Sequence, residues 1–304
     1  MNLSNTELKK LSQKVTHVLM NELKWQIDED VRLIGSGVIN AVFLIRDKDR
    51  GLLAVRTPWR SEERMMDKNS SGIISLQKEA AIAKHCAKHQ IPVPNIHQLY
   101  IGNDINFLVS DFISGDNQEI SSYSIGKLIS KIHKVPLNDL FIIDQKERTL
   151  SRIISERIAE RAISLGKLIN TDIIVPDSGI LETILDTSNV TNCLLHLDVR
   201  RPNIIGENGI TKAIIDWDNA FIGNPIMELM RIFETQDLNA EAFLEGYGEI
   251  KLLKNTENVI QLIYRLDTAL MLSILFISFL NDKEKGEYYL KRVQLLISEI
   301  NKCL

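Results

Sequence analysis

Cysteine is scarce in this 304-residue chain: Cys86, Cys193 and Cys303 are the only three, odd in number and far apart. That excludes a disulfide framework and favours a reducing, cytoplasmic setting. Charge of one sign is not gathered into blocks. Lys+Arg number 36 against 40 Asp+Glu, a net charge of −4, so the basic footprint of a nucleic-acid binder is missing. The start, MNLSNTELKK, lacks the apolar segment of a signal peptide. The longest apolar stretch, Ala269 to Leu280 with two interior serines, falls short of the roughly 20 residues a membrane-crossing helix needs and reads as a buried core helix. Repeats and low-complexity segments are absent. Gly35-Ser36-Gly37 has no third glycine and no Gly-Lys-Ser/Thr follows, which argues against Rossmann and P-loop nucleotide sites. These absences argue against a nucleic-acid partner and against a membrane. They say nothing of oligomeric state.

What is present suits a soluble globular protein long enough for two lobes: 44% hydrophobic and 25% charged residues. Residues 4 to 24 carry apolar positions at helical spacing. VRLIGSG, NAVFLIRD and GLLAVRTP then read as three strands joined by glycine-containing turns. Residues 75 to 90 read as a helix stopped by IPVP, and HQLYIG and INFLVSDF as two more strands. A helix inserted in an antiparallel sheet describes a small α+β lobe, residues 1–112. Residues 113–304 read as a larger, mainly helical lobe, with predicted helices at 121–135, 147–169 and from Pro225 to the end. The exception is a block of short β-type runs, LLHLD, NIIGE and KAIIDW.

That block carries the chemistry. In LLHLDVRRPNIIGENGITKAIIDWDNA, Asp198 precedes Asn203 by five residues, and Asp216 ends an apolar run. Phosphoryl transfer from a metal–nucleotide complex needs a carboxylate to orient the attacking hydroxyl and oxygen ligands for the magnesium that bridges the phosphates. Asp198 suits the first task. The amide oxygen of Asn203 and the carboxylate of Asp216 suit a hard cation such as Mg²⁺, and Pro202 tightens the loop between Asp198 and Asn203.

The segment resembles the catalytic block of the aminoglycoside phosphotransferase and choline kinase superfamily, His-Gly-Asp-x4-Asn followed by Ile-Asp-Trp. The resemblance continues through IGNPIMELMRI and takes in GKLISKIHKVP, covering roughly residues 30 to 235. It implies a two-lobed protein-kinase-like fold, ATP or GTP with Mg²⁺ as cofactors, and an alcohol acceptor on a small molecule. An aminoglycoside or other antibiotic is the natural suggestion, with resistance as its consequence; choline, homoserine, a sugar or a macrolide stay open. Residue by residue, it implies Asp198 as the catalytic aspartate and Asn203 and Asp216 as metal ligands. Arg56 in LLAVRTP is the implied phosphate-binding base, and Glu79 its ion-pair partner. Ser110 to Phe112 correspond to the hinge that bonds adenine through its backbone, and Ser36 to the loop over the phosphates. Arg200, two residues after Asp198, stands where protein kinases place a lysine toward the transferred phosphate, and an arginine there stabilises equatorial charge.

Two positions depart from the family pattern. Leu197 replaces the glycine before the catalytic aspartate, a change in permitted backbone angles. Arg56 stands where lysine is common, which keeps the charge and permits a bidentate grip on phosphate. Leu197 is the feature favouring a rival reading, a kinase-fold regulatory protein that binds nucleotide without turnover. A protein kinase proper fits poorly, given the helical insert after residue 147 and the lack of Asp-Phe-Gly. Among weaker signals, His85, Cys86 and His89 read as an amphipathic helix surface rather than a metal site. His196 reads as a brace for the loop, and Glu228 as a bond back to it or an exposed helical glutamate. Asp218, Glu234 and Asp237 read as ordinary solvated acids, with contact to a cationic substrate as the alternative.

Overall fold

The computed structural model describes residues 4–28, 30–37, 39–59, 71–116, 118–146 and 148–304. Val38 of the expected phosphate loop and Glu147 of the expected helix 147–169 lie outside them.

The chain begins with α1 (Asn5–His17), whose N-terminus is closed by a capping box between Ser4 and Glu7. A π-helical turn, Val18–Glu22, follows. Strands β1 (Arg32–Ser36), β2 (Asn40–Asp47), β3 (Gly51–Pro58), β4 (Ile96–Ile101) and β5 (Asn106–Asp111) form one antiparallel sheet in the order β1-β2-β3-β5-β4, with α2 (Gly72–Lys88) inserted between β3 and β4. Period-2 alternation puts Phe43, Ile45, Leu53, Val55, Phe107 and Val109 into one core with Val15 and Leu19 of the first helix. On the opposite face Leu108 packs against Leu76 and Ala80 of α2.

The remainder is mainly helical: α3 (Ser122–Ile132), α4 (Leu150–Ile169), α5 (Ser178–Asp186), α6 (Pro225–Thr235), α7 (Ala240–Tyr247), α8 (Ile250–Asn255), α9 (Asn258–Ile274) and α10 (Lys283–Cys303). The expected β-type block resolves into two short ladders, β6 (Cys193–Leu195) with β9 (Phe221–Gly223) and β7 (Ile204–Glu207) with β8 (Ile210–Ile214). Gly126 and Gly246 let α3 and α7 approach so closely that a Cβ on either would strike the other's backbone. The helix α9 runs on through a π-helical turn to Phe279, 22 residues in all with mean hydropathy 1.7. That exceeds the apolar stretch seen in the sequence and is long enough to cross a membrane by length and composition. Here α9 is packed among α4, α6 and α10, as a core helix.

Candidate active site

The loop between β6 and β7 is built around a turn that sequence alone would not favour. Leu197 adopts φ +59°, the left-handed region, which costs a non-glycine residue about 1–2 kcal/mol. Two features hold it there. Its side chain is fully buried, and its amide donates to Glu228 Oε1 at 2.6 Å while the His196 amide donates to Oε2 at 2.7 Å. Glu228 is therefore no exposed helical residue: it is buried on α6 and clamps the loop. His133, from the Ile-His-Lys-Val-Pro end of α3, reaches the same carboxylate at 3.3 Å and bonds Tyr247 Oη at 2.8 Å through its other nitrogen. Burial works to raise the Glu228 carboxyl, but His133 and the loop amides outweigh it and hold the group below its usual range.

His196 braces the loop. Its Nε2 pairs with the Ile215 carbonyl at 3.0 Å and its Nδ1 with the Asp198 amide at 3.2 Å, so both ring nitrogens are engaged. Asp198 is partly exposed; its Oδ2 accepts from Asn203 Nδ2 at 2.7 Å and from Arg200 Nε at 3.1 Å. Turning its Nδ2 toward Asp198 leaves the Asn203 amide oxygen for another partner. The Asn203 carbonyl accepts from the Ile215 amide at 3.0 Å, which seats the end of β8 and Asp216, two residues beyond it, beside the loop. Asp216 is itself left-handed, φ +71°.

Opposite the loop, Arg56 on β3 is shared by three carboxylates. Its guanidinium bonds Glu79 of α2, Asp216 Oδ1 at 2.8 Å and Asp218 Oδ2 at 2.6 Å. The Asn40 amide, with its oxygen toward the guanidinium, accepts from Nη2 at 2.7 Å and Nε at 3.0 Å. Ser75 Oγ donates to Asp218 Oδ1 at 2.5 Å, which ties α2 to the turn after Asp216. Oxygens of Glu79, Asp216 and Asp218 all lie within 4.8 Å of one another. Burial and the neighbouring acids push the Glu79 carboxyl up to about 7, and Asp218 also lies above its ordinary range. Burial also works against Asp216, but Arg56 prevails and lowers it. Hard anionic oxygens with too little positive charge among them are the donor set Mg²⁺ prefers, so Asp216 fits the implied metal by its chemistry, and the backbone bond from Ile215 to Asn203 brings the Asn203 loop to its side.

The structure thus joins Arg56, Glu79 and Asp216, and separately Asp198, Arg200 and Asn203, with Ile215 linking the two groups. Asp218, a solvated acid or a candidate contact for a cationic substrate by sequence, is held by Arg56 and Ser75. Asn40 and Ser75 gave no sequence signal, since their partners lie far along the chain. Ser36 ends β1 opposite Ala41, exposed beside the turn to β2. Ser110 lies within the ladder of β5, and the amides of Asp111 and Phe112 are already donated to Asn95 and Leu52 at 2.9 and 3.1 Å. His85 and Cys86 are buried rather than on a helix surface, and His85 Nε2 bonds the Pro136 carbonyl at 2.7 Å. A cleft of about 620 Å³ elsewhere, lined by His133, Cys193, Tyr247 and Glu249, includes none of the expected site residues.

A sheet lobe with an inserted helix, a helical lobe and a loop Asp–Asn facing a strand-end Asp define the protein-kinase-like fold. Residues 30–258 match the family model "Phosphotransferase enzyme family", and the chain belongs to that family. A search of curated proteins by sequence finds no match. Among solved structures, a thermostable mutant of aminoglycoside phosphotransferase APH(4)-Ia, in ternary complex with AMP-PNP and hygromycin B, is similar at 15% identity. It covers 94% of this chain and 98% of that one, with a TM-score of 0.65. The gentamicin complex of APH(2'')-IIa is similar at 14% identity, 97% of both chains and a TM-score of 0.63. An ethanolamine kinase from Plasmodium vivax is similar at 16% identity, 95% of this chain and 88% of that one, with a TM-score of 0.63. At these identities the likeness establishes the fold; the family match makes the chain a small-molecule phosphotransferase.

Proposed function

We propose that this protein transfers the γ-phosphate of ATP or GTP to a hydroxyl group of a small molecule, with residues 1–112 holding nucleotide and 113–304 supplying the base and the acceptor site. The observation that carries the reading is the Asp198 carboxylate, fixed by Asn203 and Arg200 on a loop that Glu228 clamps. Asp198 orients the acceptor hydroxyl and takes its proton. Arg200 lies against Asp198 and stabilises charge on the transferred group. Asn203 and Asp216 would hold Mg²⁺, which would supply the positive charge that neutralises the phosphates. Arg56 grips phosphate, and Glu79 keeps its guanidinium pointed inward. Ser36 stands over the phosphates. Because the Asp111 and Phe112 amides are engaged, adenine meets the carbonyls of Ser110 to Phe112 and amides further on.

The acceptor is a hydroxylated small molecule. Similar structures hold hygromycin B and gentamicin, so antibiotic inactivation by phosphorylation is one role this chemistry serves. The left-handed Leu197 supports turnover over a binding-only protein, because the turn that glycine usually makes is present. Product formation from Mg²⁺–ATP over a panel of hydroxylated acceptors tests the reading, with Asp198→Ala as control. Phosphorylated product that disappears in the variant is expected. Nucleotide binding with no product from any acceptor, unchanged by the substitution, would return the protein to the regulatory class.

A further inference from the structure

A second buried charge cluster lies beside the catalytic loop, and the proposed chemistry leaves it unused. Arg231 follows Glu228 by three residues on α6, hence on the same helix face. Glu228 holds the amides next to Asp198, so Arg231 shares the side of α6 that meets this loop, near enough for the charge of Asp198 to act on it. Its side chain is 4% exposed. Nη2 touches Met271 Sδ at 3.0 Å, and the buried Nη1 has no hydrogen-bond partner. Neighbouring helices add more positive charge. Arg157 of α4 bonds Asp267 of α9 in bidentate fashion at 2.9 and 2.7 Å, and Arg161 Nη1 bonds the same carboxylate at 3.0 Å. Asp267 is therefore committed to two arginines before Arg231 is counted. Burial brings Arg231 down to about 10 while the charge of Asp198 opposes the shift, and the group stays cationic at neutral pH.

Three acids that the sequence offered as alternatives for a cationic substrate are meanwhile bonded within the protein. Asp218 is bound by Arg56 and Ser75. Glu234, buried, accepts from Arg265 at 2.8 Å and Arg292 at 2.7 Å. Asp237 accepts from the Arg201 amide at 2.8 Å. A buried guanidinium with an idle N–H is costly unless a partner arrives, and a planar fork of donors matches a carboxylate or phosphate.

Resting on the kinase reading above, we infer that the acceptor carries an anionic group, a carboxylate or phosphate, which Arg231 receives while its hydroxyl faces Asp198. Asp198 has 21% of its side chain exposed and is open to solvent.

The test uses the full chain with Mg²⁺–AMP-PNP for calorimetry and Mg²⁺–ATP for turnover. The probes are matched hydroxylated compounds: hydroxycarboxylates such as glycerate and gluconate, a sugar phosphate, glucose, and gentamicin. Anionic probes are expected to bind and be phosphorylated in preference to glucose and gentamicin, and the carboxylate and phosphate arms identify which anion fits. Arg231→Met is expected to raise KM for the anion by about tenfold or more with a smaller change in kcat, as loss of one charge-assisted contact implies. Arg231→Lys, which keeps charge but loses the fork, recovers part of it and serves if the Met variant does not fold. Preference for gentamicin or glucose, or an anion KM within twofold of wild type in both variants, overturns the inference. So does AMP-PNP binding with no heat from any anion, which leaves the kinase reading standing. Failure to bind AMP-PNP removes both together.

Discussion

Two buried charge clusters flank Asp198 with opposite balances. Around Arg56, one guanidinium serves Glu79, Asp216 and Asp218, so negative charge is in excess and a divalent cation relieves it. Around Asp267, one carboxylate serves Arg157 and Arg161 while Arg231 keeps an unpaired N–H, so positive charge is in excess. The same residue types, arranged with the ratio inverted, fit a metal–nucleotide on one side and an anion on the other. The lesson is that charge in a kinase-like cleft is read from who is paired with whom, since a net charge of −4 spread over 304 residues conveys neither cluster.

The largest effect is expected between the clusters. Asp198→Asn keeps the shape of the loop but removes the base, and single-turnover transfer should fall by about 10²–10⁴ while AMP-PNP affinity stays near wild type. A fall in nucleotide affinity with transfer unchanged would show that Asp198 belongs to the cation-binding side alone. Next, breaking each cluster at its hub should cost about 3–5 kcal/mol of folding stability, the usual penalty for stripping the partner from buried charge. In urea titrations the Arg56→Met loss should shrink when Mg²⁺ is added, because the ion replaces the missing charge. The loss in Asp267→Asn should ignore Mg²⁺. Identical responses to Mg²⁺ would erase the distinction drawn between the clusters.

Leu197→Gly is a smaller perturbation of the loop both clusters abut. It relieves the left-handed strain of about 1–2 kcal/mol but gives up a buried leucine side chain, a loss of about 2–5 kcal/mol if judged by leucine-to-alanine changes. A modest drop in thermal midpoint with kcat within a few-fold is expected; collapse of kcat would mean the leucine itself shapes the site. The smallest effect is on pH dependence. The Glu79 carboxyl is raised to about 7, chiefly by burial, so the folded state holds that proton more tightly than the unfolded chain. Its stabilising contribution is complete below the unfolded value near 4.5 and is lost as pH rises through about 7. The stability difference between wild type and Glu79→Gln should therefore decline between those limits in metal-free buffer, as calorimetric midpoints would report.

The comparison also explains what could be seen in the sequence. The sheet of residues 32–111 was legible because period-2 alternation and turn glycines are local signals. The loop Asp198–Asn203 and the strand-end Asp216 were legible because they lie within one short segment. By contrast β9 spans three residues, too few for any period. The role of Glu228 was only half visible, since its partners are backbone amides 31 and 32 residues away. The tie between Asp218 and Arg56 has no signature in the sequence, because the two residues lie 162 positions apart. The Arg157–Asp267 pair joins helices 110 residues apart, and the idle Nη1 of Arg231 is a property of packing that no spacing encodes.

The most direct test of the central claim, that the Arg56 cluster is a seat for a metal–nucleotide, is the affinity of AMP-PNP measured by calorimetry with Mg²⁺ and with EDTA, in wild type and Asp216→Asn. The account predicts tight binding by the wild type only when Mg²⁺ is present, and loss of that dependence in the variant. Equal affinity in both buffers, or an Asp216→Asn protein that responds to Mg²⁺ as wild type does, would contradict it.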